Sequence, residues 1–474
     1  MRLPSAAALL AGIGVALVLP VGCGGVASRP HASAPVSTRA PSFALPVSYE
    51  TGSDPTAVEV ADLNGDRLGD IVTTDSAAVS VLLNQGHGKF TKRTDYQPGG
   101  SSLAIADFNR DGARDVVVAG HRKTVSVLLN RGDGSLRAAG TYKTSGTANA
   151  VAAGDLNGDG EPDFATADQA VVSVLLNRGH GSFSSPTGYP AGDVPISVAI
   201  ADLNGDGKLD LATASYEGSS AFLLNRGNGT FGRGRRYDDT SGASWVVPAD
   251  LNGDGKQDLA VASNDETGDF QDDEGGPTLY PSWISGFANE GDGRFGPGKA
   301  YLQTAGYDES ITAIAAHDVS RDGRADVLFA HWLGYANSAV SVLLSSGDTR
   351  FGEQIDYPVG AQDSDFVLAV GDVNRDGRQD LVTANSEERT VLVFINTPGL
   401  CAVQDVSAGG LRGEITLEHA TRALEDAHCR VGEVREEARS GEPGGRVLSQ
   451  KPKFGAVLPG GSKVDLVVSS GPKR

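Results

Sequence analysis

Residues 202–210, DLNGDGKLD, place oxygen-bearing side chains at positions one, three, five and nine, which are Asp202, Asn204, Asp206 and Asp210. On a tight loop, alternate side chains of this kind converge on one point. Hard oxygen donors suit Ca²⁺, which takes about six to eight oxygen ligands in proteins. Gly207 at position six supplies the positive φ that a sharp turn needs. Position seven should contribute only its backbone carbonyl, so its side chain is free to vary.

This nine-residue pattern occurs seven times, beginning at residues 62, 107, 155, 202, 250, 318 and 372. Positions one, five and nine are Asp in every copy, and position three is Asn except for Ser320. Position seven ranges from Ala and Leu to Glu, Lys and Arg, as expected for a carbonyl donor. The sequence therefore predicts about seven structural Ca²⁺ ions, one in each loop. Their predicted ligands are Asp62, Asn64, Asp66, Leu68 and Asp70; Asp107, Asn109, Asp111, Ala113 and Asp115; Asp155, Asn157, Asp159, Glu161 and Asp163; Asp202, Asn204, Asp206, Lys208 and Asp210; Asp250, Asn252, Asp254, Lys256 and Asp258; Asp318, Ser320, Asp322, Arg324 and Asp326; and Asp372, Asn374, Asp376, Arg378 and Asp380.

Two other interpretations use the same residue types. Seven solvated Asx turns without any metal are one alternative. An EF-hand loop opens in a similar way, but it needs a bidentate Glu at position twelve and a helix on each side. Here position twelve is Thr, Val or Phe, and short β-branched runs such as DLATA follow each loop. Such runs indicate strands, so the EF-hand is excluded and the metal-free turns remain as the alternative.

The chain has 474 residues and a formal net charge of −20. The seven loops contain three aspartates each, which accounts for the whole acidic excess. Proteins that bind nucleic acid usually present a basic face. We therefore expect no nucleic-acid partner.

Residues 1–22 have the features of an export signal, because one basic residue is followed by an apolar run over residues 6–19. The run is short for a membrane span. It ends in LPVGCGG, which looks like a bacterial lipoprotein cleavage box and would place a lipid on Cys23; ordinary cleavage near HASA is the alternative. Residues 23–41, rich in Ala, Ser and Pro, are interpreted as a flexible linker. We expect an extracellular protein at the cell surface, lipid-anchored to the outer face of the cytoplasmic membrane.

The first aspartates of successive loops are 45 to 68 residues apart, a spacing that indicates a propeller or a solenoid. Each repeat contains four strand-like runs, such as SVAIAD, DLATA, SSAFLLN and a run that ends at Tyr237. Four short strands make one propeller blade. The seventh repeat lacks a fourth strand, and SFALPVSY at residues 42–49 would complete it. The sequence thus predicts an all-β, seven-bladed propeller over residues 42–398, closed between its two ends.

This pattern resembles the FG-GAP or VCBS repeats of integrin α-chain β-propellers and of many bacterial surface proteins. The resemblance implies a seven-bladed propeller that holds Ca²⁺ between the first and second strands of its blades. Two loops depart from the pattern. Arg67 stands where the other loops have Gly, which would strain the turn, and Ser320 is a smaller neutral ligand than Asn.

Residues 400–474 differ from the repeats in their sequence pattern. A helix-capping Thr416 precedes an apolar stripe of Leu417, Ala420, Leu424 and Ala427. Two strand-like runs then follow around Pro and Gly turns. The runs EHATRALEDAHC, GRVLSQKPKFG and LPGGSKVDLVVS resemble the PASTA domain, a small α+β module of penicillin-binding proteins and bacterial Ser/Thr kinases. The resemblance implies contact with peptidoglycan, or a spacer role.

Three cysteines occur in the chain. If Cys23 is lipidated or removed, Cys401 and Cys429 remain as a pair. Outside the cell an even pair indicates a disulfide.

The longest irregularity is an insert in blade five, DETGDFQDDEGGPTLYPSW, at residues 265–283. It belongs to a link between second and third strands, on the rim opposite the calcium loops. Acidic groups and aromatic faces suit sugars or basic peptides; a solvated acidic loop without a partner is the alternative. The predicted ligand-facing residues are Asp269, Phe270, Tyr280 and Trp283 of the insert and His331, Trp332 and Tyr335 of blade six.

No Ser–His–Asp order can be assembled from the sequence, and calcium accounts for the abundant aspartates. We expect a protein without enzymatic activity. The leading hypothesis is an exported, calcium-stabilised bacterial cell-surface protein for adhesion or for carbohydrate or cell-wall recognition. Its partners would be a glycan, peptidoglycan or a surface protein. A wall-associated structural scaffold and a polysaccharide-active enzyme are the two alternatives.

Overall fold

A computed structural model of the chain describes residues 41–471, except for 121, 170, 217–219, 238–241, 265–281, 303–309, 333–337, 360–365, 404–415 and 439–443. The predicted signal peptide, Cys23 and the linker up to residue 40 lie outside the described residues.

The described strands form seven four-stranded antiparallel sheets, which are the predicted blades. Strand β1 (Val47–Glu50) belongs to blade seven, and blade one follows it with β2 (Ala57–Ala61), β3 (Asp70–Thr74), β4 (Val79–Leu82) and β5 (Thr94–Tyr96). Blades two and three contain β6 (Ser102–Ala106), β7 (Asp115–Gly120), β8 (Thr124–Asn130), β9 (Leu136–Lys143), β10 (Ala148–Gly154), β11 (Asp163–Asp168), β12 (Val172–Leu175) and β13 (Thr187–Tyr189). Blade four contains β14 (Pro195–Ala201), β15 (Asp210–Ser215), β16 (Ser220–Leu223) and β17 (Arg235–Tyr237).

Blade five contains β18 (Ala243–Ala249), β19 (Asp258–Asn264), β20 (Ser282–Phe287) and β23 (Lys299–Leu302), with the hairpin β21 (Asn289–Gly291) and β22 (Arg294–Phe295) between the last two. Blade six contains β24 (Ile311–His317), β25 (Asp326–Trp332), β26 (Ser338–Ser345) and β27 (Phe351–Pro358). Blade seven contains β28 (Phe366–Gly371), β29 (Asp380–Asn385) and β30 (Thr390–Phe394), and β1 is its fourth strand.

The two ends of the propeller close the ring within blade seven. Strand β1 pairs antiparallel with β30, so that Tyr49 lies opposite Val391. The innermost strands of successive blades pack against one another around the ring, and β28 lies against β2 of blade one. The prediction that residues 42–49 complete the last blade is therefore confirmed. Pairing with β1 covers the edge of β30 that the last repeat would otherwise expose.

An aromatic contact links neighbouring blades at their outer strands. The Tyr of one fourth strand packs edge-on against a Phe in the next blade, with ring centroids about 5 Å apart. The Tyr49 hydroxyl also donates to the carbonyl of Gly88 at 3.0 Å. Because Phe43 precedes β1, the N-terminal segment supplies blade seven with both its outer strand and its aromatic partner. The described pairs are Tyr49–Phe90, Tyr142–Phe183, Tyr189–Phe231 and Tyr357–Phe43.

Apolar side chains fill the spaces between the blades. Val127 of β8 shares one cluster with Phe164 of blade three, and Val174 of β12 shares another with Leu223 of blade four. Val and Leu dominate the third strands, which carry these contacts. Burial of this apolar surface between sheets holds neighbouring blades together.

The C-terminal domain contains one helix and a small sheet. Its elements are β31 (Leu400–Ala402), α1 (Leu417–Asp426), β32 (Arg430–Glu437), β33 (Val447–Lys451), β34 (Val457–Pro459) and β35 (Lys463–Ser469). Strand β35 lies between β32, to which it is parallel, and β33, to which it is antiparallel. Thr416 caps α1 by accepting a hydrogen bond from the His419 N–H. Cys401 and Cys429 are joined by a disulfide.

The C-terminal domain packs on the outer edge of blade six. Leu424 of α1 and Cys401 share one hydrophobic cluster with Ile355 and Tyr357 of β27. Both β27 side chains are buried, whereas the corresponding strands β5 and β13 are largely exposed. The apolar stripe of α1 therefore packs against the outer strand of blade six. Within the described residues, no helix is long and apolar enough to cross a membrane.

Candidate functional site

The seven Asp-rich loops lie on one rim of the propeller. Each joins the first strand of a blade to the second, as β2 and β3 show for the first loop and β14 and β15 for the fourth. Position nine of every loop is the first residue of the second strand. The sheets therefore bring all seven loops to the same end of the ring.

Each loop is folded around its own carboxylates. In the fourth loop, the carboxylate of Asp202 accepts the N–H groups of Gly205 and Gly207, both at 2.8 Å. The Asn204 side-chain oxygen accepts from the Asp206 N–H at 2.8 Å. These short side chains satisfy the backbone donors of a turn that has no ladder partner. In the first, third and fifth loops too, the backbone N–H groups of positions four and six donate to the carboxylate at position one.

The carboxylate at position nine is buried in every loop. Asp210 is 0% exposed, and its two oxygens accept the N–H of Leu203 at 3.0 Å and of Asn225 at 2.7 Å. The pKa of Asp210 is raised to about 6, chiefly because the carboxyl is buried. The two backbone hydrogen bonds lower it, and the nearby carboxylates of Asp206 and Asp202 raise it by a smaller amount. The same causes act in all seven loops, where these pKa values are raised to about 6 or 7. Each loop thus concentrates negative charge around one buried acid.

The donor set of each loop fits a hard cation. It consists of three carboxylates, one amide or hydroxyl and one carbonyl, and oxygen donors of this kind suit Ca²⁺. A divalent ion would also offset the repulsion between the carboxylates, which adds to the larger effect of burial on the pKa at position nine. In the described part of the chain, however, no group of three or more His, Cys, Asp or Glu side chains is arranged to hold a metal ion. The carboxylates face the backbone N–H groups of their own loops.

Two positions of the loop adopt a left-handed backbone. Position six has a positive φ, as predicted from its glycines, and Arg67 adopts it too, with φ of 68°. Position four does the same, which the sequence analysis missed. It is Gly in four loops, but Arg110, Arg321 and Arg375 adopt φ of 59°, 63° and 62° there. A side chain in this region is strained, since Cβ approaches a neighbouring carbonyl oxygen.

An Asn at the end of the third strand connects each loop to the loop before it. Asn225 donates from its amide to the carbonyl of Leu209 in its own loop and to that of Leu156 in the preceding loop, both at 2.7 Å. The bond to the preceding loop recurs around the ring, with Ser345 as the donor in blade six. Sequence analysis missed this role, although nearly every VSVLLN-like run ends in Asn. The other donors are Asn84, Asn130, Asn177, Asn289 and Asn396.

The residue at position seven varies among the loops, and in five of them it is charged and forms an ion pair. In loops four to seven it is Lys or Arg and pairs with the carboxylate at position five of the same loop. In the third loop it is Glu161, which lies 3.8 Å from Arg110 of the second loop. The first two loops have Leu68 and Ala113 instead.

The structure places three residues of the predicted ligand face in strands, where links were expected. Trp283 belongs to β20, where it pairs with Leu302 of β23, and so it is not part of a link. His331 and Trp332 end strand β25, and His331 is completely buried. The reason is that the ladder between β25 and β26 continues to the pairs His331–Ala339 and Trp332–Ser338, so both residues lie in the sheet. Asp269, Phe270, Tyr280 and Tyr335 lie outside the described residues.

His331 takes part in a buried polar network. Its Nε2 lies 2.7 Å from the Ser341 hydroxyl, which donates to Asp356 at 2.7 Å. Gln354 donates to the same Asp356 oxygen at 2.6 Å. In a hydrolytic triad the His lies between the Ser and the Asp, whereas here Ser341 lies between the other two. All four side chains are buried, and they come from β25, β26 and β27 of blade six.

Comparison with family models gives two matches. The model described as an FG-GAP-like repeat matches residues 62–118, 107–166, 155–213, 202–261 and 318–383. The model of the PASTA domain matches residues 410–470. Taken together, the repeat matches cover more than half of the chain.

Comparison with solved structures shows propeller neighbours. BBS1N in its complex with ARL6DN has a TM-score of 0.50 and 10% sequence identity, over 76% of this chain and 98% of that one. A lectin of Agrocybe aegerita, described for its specific recognition of non-reducing terminal N-acetylglucosamine, has a TM-score of 0.44 and 20% identity, over 66% of this chain and 81% of that one. No curated protein matches the chain. At 10% identity the likeness to BBS1N indicates the fold alone.

Proposed function

Because this chain belongs to the FG-GAP-like repeat family and carries a PASTA domain, we propose that it is a calcium-stabilised binding protein of the bacterial cell surface. The observation that carries this proposal is the combination of seven repeated oxygen-rich loops with a PASTA domain packed on the same rigid ring. Loops and modules held by a rigid scaffold are where binding residues concentrate.

Calcium is proposed as a structural ion. In each loop it would be held by the side chains at positions one, three, five and nine and by the carbonyl at position seven, as in Asp202, Asn204, Asp206, Asp210 and Lys208. The ion supplies positive charge to a loop that otherwise gathers three carboxylates. At millimolar Ca²⁺ and a Kd of about 10⁻⁴ M, one site contributes about 1.4 kcal/mol.

The proposed partners are cell-wall or surface glycans, peptidoglycan or a surface protein. The PASTA domain supports cell-wall contact, since its family is linked to peptidoglycan. Retention at the membrane by a lipid on Cys23 is part of the same proposal. We propose no enzymatic activity, because the one described His–Ser–Asp arrangement is buried and in the wrong order.

A binding assay tests this function. The full exported chain is incubated with purified peptidoglycan and with a glycan array, in millimolar Ca²⁺ or in EDTA. Retention in Ca²⁺ that falls in EDTA is expected. Absence of binding to either material would favour the structural scaffold, and turnover of a bound glycan would favour the enzyme.

Metal analysis tests the calcium part separately. After dialysis against millimolar Ca²⁺ and removal of free ion, about seven ions per chain are expected. Asp202→Ala should lower this number by one. A metal content near zero would contradict the proposal and leave the seven loops as metal-free turns.

A further inference from the structure

Each buried carboxylate at position nine is held both by its own loop and by the third strand of its blade. Asp210 accepts the N–H of Leu203, which is position two of the loop, and the N–H of Asn225, which ends the third strand. The side chain of Asn225 donates in turn to the carbonyl of Leu156, which is position two of the preceding loop. The Leu156 N–H donates to Asp163, the position-nine acid of that loop, at 2.9 Å. Two buried acids of neighbouring blades are therefore joined through two residues.

These links form a closed circuit of hydrogen bonds around the ring. Asn84 joins Asp70 of blade one to the loop of blade seven, so the circuit has no free end. The residues at position two and the linking side chains are at most 5% exposed, and hydrogen bonds are stronger where water is excluded. The other links are Leu63–Asn130–Asp115, Phe108–Asn177–Asp163, Leu203–Asn289–Asp258, Leu251–Ser345–Asp326 and Val319–Asn396–Asp380.

Loop six departs from this pattern without interrupting it. The Val319 N–H donates to the carbonyl of His317, and Asp326 accepts from the N–H of Ser320 instead. The Val319 carbonyl, which accepts from Asn396, belongs to the same peptide group as the Ser320 N–H. The bond from Asn396 is also long, at 3.4 Å, whereas the other five Asn side chains reach the preceding loop at 2.7 to 3.0 Å.

The circuit passes between the proposed calcium ligands of every loop. Leu203, for example, lies between Asp202 and Asn204 in the chain. The side chains of these two neighbours accept N–H groups of their own loop, so an ion that takes their oxygens competes with hydrogen bonds on both sides of position two. The carbonyl of position two holds the next Asn, and the N–H of that Asn holds the next acid. A change in one loop therefore reaches the buried acid of the following loop.

From these contacts we infer that the seven calcium sites fill together, because binding in one loop favours binding in its neighbours. The positioning residue that couples two sites is the buried Asn at the end of the third strand, or Ser345 in blade six. Coupling of this kind needs an element with two states, and each loop has them, with and without the ion. Two coupled sites typically change each other's affinity by about 5–150-fold. This inference rests on the proposed function, because it concerns the calcium proposed there.

Equilibrium dialysis of the full chain against a series of free Ca²⁺ concentrations tests this coupling. The protein is first freed of metal with EDTA, and the number of bound ions per chain is then measured at fixed pH and ionic strength. Seven coupled sites should fill steeply, with a Hill coefficient of about 2 or more, whereas independent sites give about 1 or less.

The decisive variant is Asn130→Ala/Asn225→Ala, which cuts the circuit at two places and removes no proposed ligand. It should bind as many ions as the wild type at saturation, while its Hill coefficient falls toward about 1. Asn130→Ser/Asn225→Ser should keep most of the steepness, because Ser345 makes the same link in blade six. Asn228→Ala is the matched control. Asn228 is exposed in the turn that follows Asn225 and accepts from Thr230 of that turn, so its replacement should leave the Hill coefficient unchanged.

Asp202→Ala gives a second test that does not depend on the folding of the Asn variants. It removes one ligand of the fourth loop, so loops three and five lose a neighbour that fills. The six remaining sites should then need about twofold more free Ca²⁺ for half-saturation.

The inference is overturned if the wild type binds seven ions with a Hill coefficient of about 1, if the double alanine variant fills as steeply as the wild type, or if Asp202→Ala leaves the other sites unchanged. Seven ions bound independently would leave the proposed function standing. Absence of bound calcium would reject the calcium part of the proposed function together with this inference.

Discussion

The side-chain amide of Asn84 donates a hydrogen bond to the backbone carbonyl of Val373 at 2.7 Å, across a separation of 289 residues. The same amide donates to the carbonyl of Gly69 at 2.8 Å, and the Asn84 N–H donates to Asp70 at 2.7 Å. One residue of blade one therefore holds its own loop and the loop of blade seven. It joins the beginning of the propeller to its end.

Asn84→Ala should weaken this closure. The carbonyls of Gly69 and Val373 then lose the hydrogen-bond donor that the Asn84 amide supplies. The free energy of unfolding should fall by about 2–4 kcal/mol. Asn84→Ser is the matched comparison, because Ser345 makes the corresponding bond in blade six, and it should lose about half as much. Urea denaturation measures both. Equal stability of Asn84→Ala and the wild type would show that the bond does not support closure.

The stability of the metal-free protein should depend on pH. Burial raises the pKa of the position-nine carboxyls from 3.8 to about 6 or 7 in the folded state. The folded chain therefore binds these protons more tightly than the unfolded chain, so this stabilisation is complete below about pH 4 and is lost as the pH rises through 6 to 7. In EDTA, the melting temperature should be higher at pH 5 than at pH 8.

Asp210→Asn is the control for this pH dependence. It replaces one of the seven buried acids with a neutral group of similar shape, so the difference in melting temperature between pH 5 and pH 8 should become smaller in EDTA. If the metal-free wild type is more stable at pH 8 than at pH 5, the buried acids do not govern its stability.

Arg67→Gly should stabilise the first loop. Arg67 adopts φ of 68°, where a side chain costs about 1–2 kcal/mol, and Gly gives back about 0.5–1 kcal/mol through its larger unfolded-state entropy. A net gain of about 0.5–1 kcal/mol is expected in chemical denaturation. The reverse change, Gly207→Arg in the fourth loop, should destabilise by a similar amount. A loss of stability in Arg67→Gly would mean that the Arg67 side chain makes a contact worth more than the strain.

Removal of the disulfide should loosen the C-terminal domain. Cys401 and Cys429 are separated by 28 residues, and opening a loop of this length costs about 3.6 kcal/mol in the chain-entropy model. The double variant Cys401→Ser/Cys429→Ser should therefore melt at a lower temperature, with the loss confined to the C-terminal domain. Thiol titration of the folded wild type should find no reactive thiol at either position, and two reactive thiols would contradict the bridge.

Local patterns predicted most of the architecture. Seven Asp-rich loops, each followed by a β-branched run, identified the first and second strands of every blade, because turn chemistry and strand propensity act over a few residues. The missing fourth strand of the last repeat identified residues 42–49 as its replacement. Thr416 and the stripe ending at Ala427 identified the helix of the C-terminal domain in the same way.

What the sequence determined by itself was therefore the repeat, the position of each loop and the way in which the ring closes. Only the tertiary structure decided which residues meet across blades. Asn84 and Val373 are brought together because closure places the first blade beside the seventh. No local sequence pattern predicts a contact between residues 289 positions apart. The structure likewise buried His331 by extending β25 within the ladder.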